Sequence, residues 1–223
     1  MEERIVHILK TEAVTHNVKR FVLEKPAGYH YIPGQATEVC INLPEWKAER
    51  RPFTFTSLND WDHLEFTIKI YDDHPGVTSQ LGKLKQGDEL ILHDIFGTIN
   101  YHGEGTFIAG GAGITPFLAI LRQLKKDNKT GNNRLIFSNR TASDIILKEE
   151  LEQMLGKNFI NTLTEEEKKP YDHSRIDEVY LKDKITDFSQ YFYICGPDPM
   201  VESIHGILAR LGADKSKLVI EQF

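Results

Sequence analysis

The chain has 223 residues, of which 40% are hydrophobic and 27% charged; this is typical of a globular protein with one large domain or two of roughly 100 residues each. Its net charge of −6 disfavours nucleic acid, which binds basic patches. Two cysteines, Cys40 and Cys195, are too few for a disulfide framework, an iron–sulfur cluster or a structural zinc site.

The first hundred residues are predicted to form short strands separated by turns. Alternating or β-branched residues mark strands at residues 14–23, 37–43, 64–71 and 89–93, with Pro- and Gly-containing turns between them. Many short strands with regular turns indicate a small antiparallel β-barrel over residues 1–101.

After residues 101–105 the pattern changes to strands that alternate with amphipathic helices. Strands are predicted at residues 106–109, 134–138, 159–162, 190–195 and 218–222. Helices are predicted at residues 116–126, 147–155, 176–185 and 199–211. This alternation predicts a parallel sheet flanked by helices, in a second domain over residues 102–223.

A glycine-rich loop follows the first strand of the second domain. Gly110, Gly111 and Gly113 permit a tight turn and close approach of the backbone to a phosphate. Thr115 is the predicted N-cap of the next helix and Pro116 its first residue, so the helix N-terminus would attract a pyrophosphate. The alternative is a tight structural turn, because Pro116 stands where the usual dinucleotide fingerprint has a third glycine.

Cys195 lies at the predicted carboxyl end of a late parallel strand, in the sequence Tyr193-Ile-Cys-Gly-Pro-Asp-Pro-Met200. Ligands of open α/β sheets bind at this edge, so Cys195 is a candidate neighbour of a bound nicotinamide. Considered alone, a cysteine is more often a small buried residue, which is our interpretation of Cys40.

Arg50-Arg-Pro-Phe-Thr-Phe-Thr-Ser57 combines two arginines with alternating aromatic and hydroxyl residues. The arginine fork suits a phosphate, and the hydroxyls suit the polar edge of a ring. Residues 68–71 add a cation and an aromatic ring, and Gly76-Val-Thr-Ser79 adds a second hydroxyl-bearing turn. The alternative is an edge strand with a basic end.

Together these motifs resemble the ferredoxin–NAD(P)H reductase family in order and in approximate spacing, over essentially the whole chain. The matching segments are Arg51-Pro-Phe-Thr54, Gly76-Val-Thr-Ser79, Gly111-Ala-Gly-Ile-Thr-Pro116, Cys195-Gly-Pro-Asp-Pro-Met200 and Glu221-Gln-Phe223. The resemblance implies a six-stranded antiparallel β-barrel that binds FAD, followed by a Rossmann-like parallel α/β domain that binds NADPH or NADH. It also implies hydride transfer from the nucleotide to FAD and onward transfer of electrons to a separate acceptor.

The resemblance assigns roles on the flavin side. Arg51 would hold the flavin pyrophosphate, Phe53 would lie against the isoalloxazine, and Thr54 would hydrogen-bond near N5, the atom that accepts hydride. The other implied FAD contacts are Pro52, Ile68, Lys69, Tyr71, Gly76, Val77, Thr78, Ser79 and Thr115.

On the nucleotide side, Thr115 would lie between the two cofactors and Cys195 would approach nicotinamide C4. The implied NAD(P) contacts are Gly110, Gly111, Gly113, Ile114, Thr115, Pro116, Ser138, Arg140, Cys195, Gly196, Pro197 and Met200. The implied catalytic residues are Thr54, Cys195, Glu221 and Phe223. Hydride transfer mainly needs C4 held about 3–3.5 Å from N5, and little acid–base machinery.

Two positions depart from the family pattern. Phe53 replaces the family's tyrosine, which keeps the stacking face and loses the phenolic hydrogen bond. Phe223 corresponds either to the aromatic residue that covers the flavin or to the Glu-x-Phe that precedes an iron–sulfur domain elsewhere in the family. The cysteine count excludes such a domain on this chain.

The nucleotide preference rests on the end of the second α/β strand. NAD-preferring folds place an acid there, whereas this chain has Ser138 and Arg140 and no acid before Asp144. Ser138 and Arg140 favour a 2′-phosphate and therefore NADPH; a surface arginine in a loop is the alternative.

Ferredoxin or flavodoxin is the expected electron acceptor, with free flavin, ferric chelates and an oxygenase component as rivals. A flavin-binding regulatory subunit without turnover is the alternative from another class. No apolar run approaches the roughly 20 residues of a membrane helix, and the N-terminus is acidic where a signal peptide is basic, so we expect a cytoplasmic protein. The histidines show no paired ligand spacing, and no metal site is predicted.

Overall fold

The computed structural model describes residues 3–73, 75–97 and 99–220, which form two six-stranded sheets. The first half of the chain supplies an antiparallel sheet and the second half a parallel one, so the predicted fold class is confirmed. The exact domain boundary at residue 101 stays a prediction.

The antiparallel sheet is barrel-like and has one open seam. Its strands are β1 (Arg4–Thr15), β2 (Val18–Glu24), β3 (Ala36–Ile41), β4 (Arg51–Thr54), β5 (His63–Lys69) and β6 (Glu89–Phe96), in the order β4-β3-β6-β1-β2-β5. β4 and β5 are its two edges, and no strand ladder joins them in the described part of the chain. Just beyond β4, the Thr56 N–H donates to the Glu65 carbonyl at 2.8 Å, which brings the edges together at one end.

Three local predictions in this sheet were incomplete. Residues 14–23 contain a hairpin turn rather than one strand, because β1 ends at Thr15 and β2 begins at Val18. The sequence did not predict most of β1, whose charged, half-exposed residues hide its alternation. The turn at Gly76 leads into a short helix, α1 (Val77–Lys83), whose Val77 and Leu81 pack in the core of the sheet.

Aromatic rings fill the core of the barrel-like sheet. Phe55 stacks on Tyr31 with 4.2 Å between ring centroids, and it lies 5.1 Å from Phe66. Phe55 and Phe66 are fully buried. Burial of each such ring stabilises the fold by about 1.5–3 kcal/mol before entropy is counted.

The parallel sheet forms a Rossmann-like layer with helices on both faces. Its strands are β7 (Gly105–Gly110), β8 (Arg134–Asn139), β9 (Phe159–Leu163), β10 (Asp172–His173), β11 (Tyr191–Cys195) and β12 (Leu218–Ile220), in the order β10-β9-β8-β7-β11-β12. Its helices are α2 (Thr115–Lys126), α3 (Lys148–Leu155), α4 (Glu178–Lys184) and α5 (Asp198–Arg210). The strand order reverses direction between β7 and β11, the switch point at which such sheets bind ligands.

Successive side chains of β7 point to opposite faces of the sheet, so the core of this domain has two layers. Phe107 packs with Phe117 of α2 on one face, while Ile108 packs with Ile204 of α5 on the other. β7 is therefore buried on both faces, as central parallel strands require.

Within the described residues, no helix is long and apolar enough to cross a membrane. The same residues contain no cluster of three or more His, Cys, Asp or Glu side chains placed to hold a metal ion.

Tyr193 ties the segment between the two sheets to the parallel sheet. Its hydroxyl accepts hydrogen bonds from the backbone N–H groups of His102 (2.9 Å) and Gly103 (3.1 Å), and it donates to the Gly103 carbonyl (2.8 Å). Burial raises the pKa of Tyr193 to about 12, so the hydroxyl keeps its proton at neutral pH.

We expect Tyr193→Phe to lower the free energy of unfolding by about 1–2 kcal/mol, because partly buried backbone groups of the linker lose their partner. Urea denaturation measures the change. Tyr191→Phe is the matched control, since Tyr191 lies in the same aromatic row but its hydroxyl makes none of these linker contacts. Equal losses in the two variants would contradict this role for Tyr193.

Candidate active site

A groove of about 430 Å³, here called the central groove, lies between the open seam of the first sheet and the carboxyl edge of the second. Both edge strands of the seam contribute to one wall, and the β7 and β11 ends form the other. Its lining comprises Pro52, Phe53, Thr54, Thr67, Ile68, Lys69, Tyr71 and Thr78 from the first domain, and Gly110–Gly113, Thr115 and Cys195–Pro197 from the second.

The glycine loop packs closely beneath the β11 strand end. A Cβ atom at Gly113 would lie 2.3 Å from the Cys195 carbonyl oxygen, and one at Gly110 would lie 2.5 Å from Met200 Sδ. Gly111 has a φ of +52°, with no atom within 4 Å of its missing Cβ. Packing against the Cys195 backbone therefore requires Gly113, and a side chain at Gly110 would displace Met200. Gly111 leaves open space where a ligand phosphate can approach the backbone.

α2 begins one residue earlier than predicted, and Thr115 does not cap it. Residues Gly111–Ile114 form a 3₁₀ turn, Ile114 is the N-cap, and Thr115 and Pro116 are the first two helical residues. Thr115 Oγ1 donates to the Ala112 carbonyl at 3.0 Å. The predicted capping role is wrong because the 3₁₀ turn extends the helical conformation toward the strand, and Thr115 braces the loop instead.

The structure brings Thr54, Thr115 and Cys195 together in the central groove. Thr54 ends β4 and is 7% exposed, while Cys195 ends β11 beside Ala109 and is 6% exposed. The two domains thus present small, uncharged side chains to one space, which suits two flat rings that must approach each other closely.

The other predicted flavin residues are divided between the groove and its surroundings. The Phe53 ring is half-buried with its centroid 6.4 Å from that of Phe66, and Lys69 Nζ lies 5.6 Å from the Tyr71 ring centroid. Arg51 instead contacts its neighbours: Nη1 donates to the Arg50 carbonyl at 2.7 Å.

Residues of the predicted second hydroxyl turn also separate. Thr78 lines the central groove, Gly76 is the N-cap of α1, and Val77 is buried in the core. Ser79 lines a different hollow, beside the β1–β2 hairpin.

A second space of about 270 Å³, the side hollow, adjoins the central groove and shares Lys69, Tyr71, the glycine loop and Pro197 with it. Ser138, Arg140 and Met200, which are predicted to contact the nucleotide, line it. Ile114 and Pro116 are buried in the core of the domain. Asn17, Asn139, Asp144 and Thr164 also line the side hollow and were not among the predicted nucleotide contacts.

The side hollow contains both a cation and an anion. Arg140 is largely exposed, and its Nε lies 3.5 Å from Glu165 Oε1. Asp144 Oδ2 accepts hydrogen bonds from the Thr141 N–H (2.9 Å) and Oγ1 (2.7 Å), which fixes its carboxylate in the hollow. A 3₁₀ turn (Ala142–Asp144) brings this acid back toward the strand end. The capping-box motif Thr-x-x-Asp, formed by Thr141 and Asp144, was the sequence pattern that could have predicted this turn.

Asn139 provides an independent indication of a polar ligand. It is buried at the end of β8 and lines the side hollow, yet neither its amide nitrogen nor its amide oxygen has a hydrogen-bond partner among the described residues. Leaving a buried amide unpaired is unfavourable, so a partner is expected from a bound molecule or water. With the glycine cradle beside it, this arrangement fits a dinucleotide.

Two predicted catalytic residues, Glu221 and Phe223, lie outside the described residues.

Comparison with known proteins identifies both halves of the chain. Residues 6–101 match the oxidoreductase FAD-binding domain, and residues 107–206 match the oxidoreductase NAD-binding domain. The chain is 30% identical to NADH-cytochrome b5 reductase 1 of Rattus norvegicus, in an alignment that covers 95% of this chain and 83% of the relative.

Solved structures share the whole fold. The FAD/NAD-binding domain of nitric oxide dioxygenase from Vibrio cholerae superimposes with a TM-score of 0.87 at 23% identity, covering 99% of this chain and 98% of that one. A ferredoxin NADP⁺ reductase from Neisseria gonorrhoeae, with bound FAD and NADP, gives a TM-score of 0.83 at 21% identity, with coverages of 99% and 97%.

A flavin-binding sheet and a nucleotide-binding sheet that meet at one groove define an NAD(P)H-dependent flavin oxidoreductase. The chain belongs to the ferredoxin reductase-like family of FAD- and NAD-binding oxidoreductases, which confirms the resemblance described above. Its cofactors are FAD and a nicotinamide dinucleotide.

We expect Gly113→Ala to slow reduction of the bound flavin by NADH at least about 10-fold, because the added methyl group forces the loop away from the Cys195 carbonyl. Anaerobic rapid mixing measures the rate of flavin bleaching. Gly206→Ala on α5 is the control, since its Cβ would find only an ordinary contact at 3.6 Å. Wild-type reduction by Gly113→Ala would show that the close packing is dispensable.

Proposed function

We propose that the central groove transfers hydride from NADH to FAD, and that the reduced enzyme passes electrons one at a time to a separate carrier protein. The observation that carries the proposal is the shared position of Thr54, Thr115 and Cys195 in one groove with contributions from both domains. FAD supplies a ring that accepts a hydride and releases electrons singly.

The residues of the groove act by positioning and by excluding water. In this proposal, Thr54 would donate a hydrogen bond at the flavin edge, and Cys195 would pack against the nicotinamide near C4. Thr115, held by the Ala112 carbonyl, would lie beside the place where the two rings meet, without entering the space between C4 and N5. None of the three is a strong acid or base, which agrees with a reaction governed by distance and orientation.

Cofactor phosphates are proposed to bind at the rim of the groove. The glycine loop offers backbone N–H groups to the nucleotide pyrophosphate, and Lys69 lies where the two spaces join. Arg51 remains the proposed partner of the flavin pyrophosphate, with Thr78 beside it. To reach a phosphate, Arg51 must leave Glu49, 3.3 Å away, and an exposed ion pair of this kind contributes little.

We propose NADH rather than NADPH as the donor, which reverses the preference favoured by Ser138 and Arg140 alone. The Asp144 carboxylate lies in the side hollow, where an acid can accept hydrogen bonds from the ribose hydroxyls and repel a 2′-phosphate. Arg140 is exposed beside Glu165, which offsets its charge. The relative's name, NADH-cytochrome b5 reductase, supports the same choice.

The proposed acceptor is a small one-electron carrier protein. The sequence favours ferredoxin or flavodoxin, and the relative's name favours a cytochrome b5-like haem protein. The deciding experiment is an anaerobic titration of the flavin-loaded chain with NADH and with NADPH, followed by addition of each carrier. Bleaching by NADH and rapid oxidation by one carrier support the proposal. A chain that binds FAD but oxidises neither nucleotide would overturn it in favour of a non-catalytic subunit.

We expect Cys195→Ala to slow flavin reduction about 10-fold while the flavin stays bound, because the nicotinamide loses a packing contact in the groove. Rapid mixing gives the rate, and the flavin spectrum gives the occupancy. Cys40→Ala is the control: Cys40 is buried in β3, where its Sγ lies 3.3 Å from His93 Nε2. Unchanged reduction by Cys195→Ala would refute the proposed role.

We expect Asp144→Asn to raise kcat/KM for NADPH about 10-fold, because the amide keeps the hydrogen bonds to Thr141 but removes the charge facing a 2′-phosphate. Steady-state kinetics with both nucleotides measure the ratio. Asp127→Asn, at the C-terminal end of α2, serves as the control for a change of net charge. An unaltered NADH-to-NADPH ratio would assign the preference to other residues.

A further inference from the structure

A buried ion-pair network joins the two domains outside the central groove. Its centre is Arg122 of α2, which is 7% exposed. Arg122 Nη1 donates to the Thr56 carbonyl and to Glu65 Oε1, both at 2.6 Å. Its Nε and Nη2 donate to the two carboxylate oxygens of Glu150, at 2.6 and 2.9 Å. One guanidinium is therefore shared between β5 of the first domain and α3 of the second.

The surroundings keep this guanidinium charged and fixed in orientation. Burial by itself disfavours the charge, but hydrogen bonds and charges from Glu150 and Glu65 outweigh it and raise the pKa of Arg122. The Trp61 ring centroid lies 5.3 Å from Arg122 Cζ, and Arg20 Nη1 lies 3.8 Å from Glu65 Oε2. A planar fork can satisfy these four acceptor atoms on three residues at once, which a lysine ammonium at the same place cannot reproduce.

The network reaches the flavin wall of the groove through Thr56. Thr56 Oγ1 donates to Glu65 Oε1 at 2.8 Å and lies 3.4 Å from Thr67 Oγ1. Thr67 lines the central groove. Thr56 also follows Thr54 by only two residues, so displacement of its carbonyl is transmitted to the end of β4.

The network reaches the nucleotide wall along α2. Arg122 lies seven residues beyond Thr115, or about 10 Å along one continuous helix. α2 carries the glycine loop at its start, and a short helix moves nearly as a rigid body. The position of Arg122 relative to β5 therefore determines the position of Thr115 relative to Thr54.

We propose that Arg122 is a positioning residue for hydride transfer, which sets the separation between the Thr115–Cys195 wall and the Thr54–Thr67 wall. The inference rests on the cofactor placement proposed above. Arg122 touches neither the groove nor the cofactor positions, so it acts only through Glu65, Thr56 and α2. A displacement of about 1 Å at reacting atoms is enough to cost up to about 100-fold in rate.

The test compares Arg122→Met and Arg122→Lys with Lys126→Met in the flavin-loaded full chain. Lys126 lies on the same helix and pairs with Asp60 of the first domain, but that pair is exposed. We expect the limiting rate of flavin reduction by NADH to fall about 10- to 100-fold in Arg122→Met and less in Arg122→Lys. Lys126→Met should equal the wild type, and the dissociation constant of NADH should stay within about 3-fold in all variants.

A second readout uses the flavin-free protein. We expect Arg122→Met to increase amide hydrogen exchange both at the glycine loop and across β4 and β5, with Lys126→Met unchanged. Lower thermal stability with a wild-type limiting rate in the flavin-loaded fraction would overturn the proposal and leave Arg122 a purely structural residue. If Arg122→Met does not fold, Arg122→Lys and Glu150→Gln provide the same comparison. Failure of the wild type itself to reduce flavin would refute the proposed function, and not the role of Arg122.

Discussion

The unclosed seam between β4 and β5 is the constraint on which the rest of the molecule depends. Edge strands expose unpaired backbone groups that must be covered or kept short. Here β4 has four residues and carries Pro52, which suits an edge because proline lacks an N–H donor. The second domain lies across the seam without filling it, and the central groove is the space that remains.

The two walls of the central groove carry different kinds of side chain because they are formed by different strands. On the parallel side, the switch point between β7 and β11 brings two strand ends together, and Gly113 packs directly against the Cys195 carbonyl. On the barrel-like side, the wall carries Phe53, Lys69 and Tyr71, which offer ring faces and a cation. In the proposed arrangement, a flat flavin would lie against the larger side chains, and the small ones would face the nicotinamide.

Site features that lie within one short segment were predictable from the sequence. Features assembled from residues far apart in the chain were not. The glycine loop, Thr54 and the Cys195 turn are each encoded in a short segment, and the structure places them in one groove. Asp144 was noted only as the first acid after the strand, because a 3₁₀ turn that returns it to the strand end leaves only a weak signal. Arg122 was not predicted to have any role, since its partner Glu65 is 57 residues away in the chain.

Burial of the Arg122 network has a consequence for how turnover responds to ionic strength. Charges removed from solvent are screened far less by salt than charges on the surface. Contact between the two domains should therefore hold across a wide range of salt concentrations. Docking of the proposed carrier protein would depend on exposed charges and would weaken as salt is added. The limiting rate of hydride transfer should therefore respond less to ionic strength than the transfer of electrons to that carrier.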